Sequence, residues 1–336
     1  MKIQRFLFLC QKILTRKFAV VTLLLTRRCN MQCDYCEVIK RNNLKELEVK
    51  QWKRIIDKLS KKYFIFVFSG GESLLYEGVE KLVDYASCKG ITGLLTNSLL
   101  LDEQRLKKLK KLDFLYFSFD TIAFPRDFKT IETKKLELIA YYMKLYKIET
   151  RASIVINTKN VEEIPAIIKL LDKYDIGVDL CLVQVDKLGG LTNDFQYFFK
   201  NSQDIANLKE LQNRLIGMIN DGYSIYTPIS YIQNMVHYVQ GHYKLQCLAG
   251  RRYFTVNNDG FIMACHNLPS SNLNLLDDVN IDQVEIKLKQ SIPKNCNCFW
   301  DCYYSYSHFA NNPLASTIES LLQSAKRKIR GRRLYK

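Results

Sequence analysis

The 336-residue chain has no apolar run long enough to cross a membrane. The longest near its start, residues 18–25, falls well short of the roughly 20 residues a spanning helix needs. A signal-peptide pattern is missing too, because charges return at Lys12, Arg16 and Lys17 without a small-residue cleavage site. No low-complexity tract and no internal repeat occur, which excludes a disordered chain and a solenoid. Acids are missing where charge is densest. Residues 1–28 and 326–336 hold Lys and Arg but no Asp or Glu, within a net charge of +16. What is left is a globular composition, 47% hydrophobic and 12% aromatic, with a cytoplasmic location expected. A peripheral place at the inner membrane face is the variant that the basic ends suggest. The 11 cysteines are unevenly clustered, which fits metal binding in a reducing compartment better than a disulfide framework.

Strand-like and helix-like stretches alternate through the first half. Residues 18–26 form a continuous apolar, β-branched run, as a strand buried on both faces should. Similar runs occupy 63–68, 91–96, 114–119, 152–156 and 178–185. Amphipathic stretches of helical length lie around 47–60, 76–88, 102–111, 131–147 and 161–174. This alternation predicts an α/β fold with a parallel sheet, helices outside it, and a functional rim in the loops after the strands. Residues 191–243 are more polar and predicted helical. A second cysteine-rich region follows from Cys247, and Pro313 precedes a last amphipathic stretch.

The first strand runs into Arg28-Cys-Asn-Met-Gln-Cys-Asp-Tyr-Cys36. Three thiolates so close together can wrap a four-iron cluster and leave one iron open to a ligand that is not protein. A structural zinc knuckle is the alternative, but it wants a fourth Cys or His nearby, and only Cys10 is at hand. Cys29, Cys33 and Cys36, with Tyr35 before the third, resemble the signature of the radical S-adenosylmethionine (radical SAM) enzymes. The second strand ends in Gly70, Gly71 and Glu72, similar to that family's Gly-Gly-Glu motif. The resemblance implies that Glu72 takes the amino group of the cofactor. The family's usual Pro is replaced here by Ser73. Thr96-Asn97-Ser98 resembles a Thr-Asn-Gly after the third strand, and Phe117-Ser118-Phe119-Asp120 a Ser-x-Asp after the fourth. Asn157 ends the fifth. Asn97, Ser118 and Asn157 are thus cofactor-binding candidates, each with an ordinary loop residue as the plain alternative. The fold that the resemblance implies is a partial (β/α)6 TIM-like barrel with a small cysteine-rich α+β extension.

Cys247, Gly260 and Cys265, with a hairpin at about 253–263 turning at Asn258-Asp259-Gly260, are similar to the opening of the SPASM and twitch extensions of that family. Cys296, Cys298 and Cys302 follow. Their number is below that of a full extension and implies one auxiliary [4Fe-4S] cluster, with the choice among the last three open and zinc as the alternative. Cys10, Cys88 and Cys181 are expected to be packed small hydrophobes. The expected organisation is a basic amphipathic helix over 1–17, a core barrel over 18–190, a helical linker over 191–243, an auxiliary-cluster region over 244–312 and a basic amphipathic tail over 313–336.

The resemblance implies reductive cleavage of S-adenosylmethionine at a [4Fe-4S] cluster, hydrogen abstraction from a substrate, and an electron donor such as flavodoxin or ferredoxin. A peptide, a lipid-linked molecule or a small molecule could be that substrate. Only residues 1–28 precede the first cysteine, which weighs against the separate peptide-binding domain of some relatives. The rival class is a non-catalytic iron-sulfur or zinc protein that binds or senses redox state. Both end segments place apolar residues on one helical face, Ile3, Phe6, Leu7, Cys10, Ile13 and Leu14 in one and Leu314, Ile318, Leu321, Leu322, Ala325 and Ile329 in the other. Either these faces dock on the barrel or they lie on anionic lipid. Nucleic-acid binding is not expected, since no recognised module accompanies the charge.

Overall fold

Apolar runs and amphipathic helices alternate along the chain as the sequence predicts. The computed structural model describes residues 20–33, 35, 36, 38, 45–122, 131–184, 197–243, 245–251, 253–266, 268–293, 296 and 298–334. Its elements in chain order are β1 (Val20–Leu24), α1 (Val49–Ser60), β2 (Ile65–Ser69), α2 (Val79–Ser87), β3 (Ile91–Thr96), α3 (Glu103–Lys108), β4 (Phe114–Ser118), α4 (Thr133–Tyr146), β5 (Glu149–Ile156), α5 (Ile164–Asp172), β6 (Gly177–Leu182), α6 (Ser202–Asn220), α7 (Ile229–Val239), β7 (Tyr253–Val256), β8 (Ile262–Met263), α8 (Ile281–Gln290), α9 (Asp301–Asn311) and α10 (Pro313–Leu334). The predicted helix over 1–17 and Cys10 lie outside the described residues. The chain forms two compact units. The first holds Met1–Phe117, Glu132–Thr150 and Leu248–Cys296, the second Ser118–Ile131, Arg151–Cys247 and Asn297–Lys336.

In the first unit β1 pairs in parallel with β2, setting Val20 opposite Ile65 and Leu24 opposite Ser69. Parallel pairs β2–β3 and β3–β4 continue the sheet. Every residue of β1 is buried, which is why its sequence shows no alternation. α1 turns Trp52, Ile55, Ile56 and Leu59 inward at helical spacing. The hairpin at 253–263 is present, and it is part of the sheet. β7 pairs in parallel with the free side of β1, and β8 returns antiparallel to β7. Tyr253 seals this join, its hydroxyl 2.6 Å from the Thr22 hydroxyl.

In the second unit β5 and β6 pair in parallel, Ala152 opposite Val178 and Ile156 opposite Leu182. The predicted linker contains α6 and α7. Tyr231 of α7 stacks on Phe299 at 4.2 Å between ring centres. Its hydroxyl donates to the Phe299 carbonyl and accepts from the Leu182 amide at 2.9 and 2.8 Å. Gln184 Oε1 takes the Phe299 amide at 2.7 Å. These bonds fix the segment just after Cys298 on the end of β6.

One expectation is corrected: Cys88 is exposed, one position beyond the end of α2. The predicted last amphipathic stretch is helical, and of the two readings of its apolar row the structure has the row exposed.

Candidate active site

The site is built where β1 meets its own cysteine loop. After Leu24 the chain stays tied to the end of β2. Leu25 donates to the Ser69 carbonyl, Gly71 to the Thr26 carbonyl and Glu72 to the Arg28 carbonyl, each at 2.8 Å. Two backbones can run this close only without side chains between them. A Cβ at Gly70 would lie 2.7 Å from the Thr26 oxygen, and one at Gly71 would lie 2.4 Å from the Arg28 oxygen. The paired glycines therefore hold the residues that lead directly into Cys29.

Glu72 is fully buried and extends this brace to β3. Its Oε1 accepts from the Thr96 hydroxyl at 2.7 Å and the Leu74 amide at 3.0 Å. Its Oε2 accepts from the Asn97 amide at 2.6 Å. A carboxylate has about four acceptor sites, and the chain fills three of them. Asn97, held by this carboxylate, turns its side-chain amide to the cysteine loop. Its Nδ2 donates to Asn30 Oδ1 at 2.7 Å and approaches Cys29 Sγ at 3.9 Å. The Met31 amide adds a second donor to that sulfur at 3.4 Å. Such donors stabilise thiolate charge and tune a bound cluster.

Cys33 and Tyr35 are buried, whereas Cys29 and Cys36 are partly exposed, and the Cys36 amide closes a turn onto the Cys33 carbonyl at 3.0 Å. A zinc ion needs its ligands around one point. Among the described residues no three Cys, His, Asp or Glu side chains converge that way. A four-iron cluster spreads its thiolates over separate irons, and three thiolates with N–H donors on one sulfur are a fitting donor set.

Two arginines missed by the motif reading frame the loop. Arg27 is 5% exposed. It donates to Asn257 Oδ1 at 2.7 Å, Asn258 Oδ1 at 3.1 Å and the Val38 carbonyl at 3.3 Å. The β7–β8 turn, with Gly260 at a φ of 90°, is therefore also a clamp on the cysteine loop. Arg28 forks onto Glu46 at 2.7 and 2.9 Å, and Thr26 bonds the same carboxylate. Arg27 and Arg28 immediately before Cys29, with Asn257 and Asn258 in a hairpin turn, were the available signal. Ser98 has a φ of 67° and is buried, which explains why glycine suits that position.

The rim after β5 differs. Asn157 is fully buried and closes its own turn. Its Oδ1 accepts from the Lys159 amide at 2.9 Å, and its Nδ2 donates to the Val155 carbonyl at 3.1 Å. Asn160 and Asp120 complete that network, Asn160 Nδ2 donating to the Asp120 carbonyl at 2.8 Å and Asp120 Oδ1 accepting from the Val155 amide at 2.8 Å. These bonds give Asn157 a structural task beside the cofactor contact expected of it. Ser118 ends β4, half-buried. Cys181 is buried and burial pushes its thiol up to about 12, as a packed cysteine requires. The second cysteine group is divided, Cys265 and Cys296 in the first unit and Cys247, Cys298 and Cys302 in the second.

The family model described as the radical SAM superfamily matches residues 23–171. The PqqA peptide cyclase of Bradyrhizobium diazoefficiens is 27% identical over 266 residues, 73% of this chain and 66% of that protein. SuiB of Streptococcus suis shares the fold at a TM-score of 0.63 and 15% identity, over 81% of this chain and 66% of its own. The anSMEcpe structure with bound AdoMet gives 0.60 and 19%, over 82% of each chain. The chain thus spans just under two thirds of the cyclase and of SuiB. These folds have a parallel sheet of six strands alternating with helices, a partial TIM barrel, plus a C-terminal extension, as the sequence predicts. The Gly-Gly-Glu brace and the cysteine loop both fall within the residues that match the radical SAM superfamily model.

Proposed function

We propose that this protein reductively cleaves S-adenosylmethionine at a [4Fe-4S] cluster held by Cys29, Cys33 and Cys36 and uses the product radical on a peptide substrate. The observation that carries the reading is the brace from Glu72 through Asn97 to Cys29. Cys29, Cys33 and Cys36 would hold the cluster, which would supply the electron for reductive cleavage of S-adenosylmethionine and so the radical chemistry used on the substrate.

The chain's own residues do the positioning. Gly70 and Gly71 let the loop after β2 lie against Thr26 and Arg28. Glu72 fixes Thr96 and Asn97, and its remaining acceptor site suits the ammonium group of the cofactor. Asn97 and the Met31 amide steady the Cys29 sulfur. Tyr35, buried beside the third cysteine, and Ser118 line the same reading as cofactor contacts.

In this reading residues 18–190 are the catalytic core and 244–312 an auxiliary-cluster region. Cys247 and Cys265, with members of Cys296, Cys298 and Cys302, hold one auxiliary [4Fe-4S] cluster, and flavodoxin or ferredoxin supplies electrons. The peptide substrate is supported by the relatives: a PqqA peptide cyclase, SuiB bound to the precursor peptide SuiA, and anSMEcpe bound to a Cp18Cys peptide.

Anaerobic reconstitution with iron and sulfide, then S-adenosylmethionine and dithionite, tests this. The expected result is release of 5′-deoxyadenosine, with about four irons lost in a Cys29→Ala, Cys33→Ala, Cys36→Ala variant and about four retained. A fully loaded parent that releases none with or without peptide would refute the reading.

A further inference from the structure

We propose that α10 is an interfacial helix that seats this protein on anionic lipid through an outward apolar face. The helix is amphipathic in the reverse sense for a docked element. At 100° per residue, Leu314, Ile318, Leu321, Leu322, Ala325 and Ile329 fall within an arc of roughly 100°, and Ser316, Glu319, Gln323, Lys326, Arg327 and Arg330 occupy an arc centred roughly 140° away.

The polar arc is the one that meets the rest of the second unit. Glu319 accepts from the Ile229 amide at 2.8 Å, and Lys326 donates to Asn220 Oδ1 at 2.9 Å. Arg327 lies over the Tyr226 ring at 4.3 Å. Arg330 covers the Tyr223 ring at 3.6 Å and bonds Asp172 at 3.0 Å. The apolar arc stands in water, with Leu314 75% and Leu321 65% exposed, and Ile318, Leu322 and Ile329 between 49% and 58%. Single exposed leucines are ordinary, but a continuous row marks a binding surface.

Charge selects the occupant. After Glu319 every charged residue of α10 is basic: Lys326, Arg327, Lys328, Arg330, Arg332 and Arg333. A basic helix with a Leu and Ile face lies in the headgroup region of an anionic bilayer. A second copy stacked on the same row would set basic helix against basic helix, which like charge opposes. Among the described residues no helix is long and apolar enough to cross a membrane, so the surface is the fitting place.

The test is co-sedimentation of the full chain with phosphatidylcholine vesicles, with and without phosphatidylglycerol, at low and high salt. A second protein carries Ile318→Ser, Leu321→Ser and Leu322→Ser, changes at exposed positions that leave the polar contacts and the circular dichroism intact. The expected result is binding that needs phosphatidylglycerol, weakens with salt and falls at least roughly tenfold in the variant. Absence of binding at low salt, equal binding to neutral vesicles, or undiminished binding by the variant would each overturn the proposal. So would a parent dimer that the variant lacks, because the row would then belong to a second copy.

Discussion

The loops after β3 and β5 look alike in sequence, and both asparagines close a turn with their side-chain oxygen. Asn97 Oδ1 accepts from the Leu99 amide at 3.1 Å and Asn157 Oδ1 from the Lys159 amide at 2.9 Å, yet their side-chain nitrogens part. Asn97 is held by Glu72 and spends its amide on Asn30 and Cys29 of the cysteine loop. Asn157 spends its amide on Val155 and Lys159, within its own turn. One nitrogen reaches across to the cysteine loop, while the other stays within its own segment. The difference teaches that a strand-end asparagine can close its turn with one side-chain atom and still tie its loop to another segment with the other.

The largest effect in this comparison belongs to Glu72→Ala. It strands the Leu74 and Asn97 amides and the Thr96 hydroxyl in a buried place, at about 1–3 kcal/mol for each unsatisfied group. Urea unfolding should show a loss of several kcal/mol, with cofactor cleavage abolished. A stable, active Glu72→Ala protein would break the brace. Next comes Arg27→Met, which empties three acceptor contacts while keeping most of the volume. It should cost about 2–4 kcal/mol and lower the iron retained after gel filtration. Unchanged iron retention would mean that the hairpin clamp does not serve the cysteine loop.

Asn157→Ala is smaller, about 1–3 kcal/mol from the opened turn, and should leave cofactor cleavage per folded molecule nearly unchanged. The smallest effect has the other sign. Ser98→Gly relieves a left-handed backbone at a φ of 67° and should raise stability by about 1 kcal/mol in the same titration.

Much of the first unit was legible because its strands are continuous apolar runs and its chemistry sits in short motifs directly after them. The cysteine triplet and Gly70–Glu72 could be placed on the rim from sequence because β1 and β2 end where the apolar runs end. The Arg27 clamp was not legible, since its partners Asn257 and Asn258 are more than two hundred residues away and hairpin-turn asparagines have a sufficient local explanation. The structural task of Asn157 was not legible either, because an Asn that closes a turn has the same sequence appearance as one that faces a ligand. The direction of α10 was hidden as well. Periodicity reports that a helix has two faces and is silent on which face meets the protein.

The most direct test is a matched pair, Asn97→Ala and Asn157→Ala, reconstituted to equal iron content and assayed for 5′-deoxyadenosine release per folded molecule. The account predicts a loss of roughly tenfold or more for Asn97→Ala, about 1.4 kcal/mol, with Asn157→Ala within about twofold of the parent. The reverse order, or equal losses in both, would contradict it.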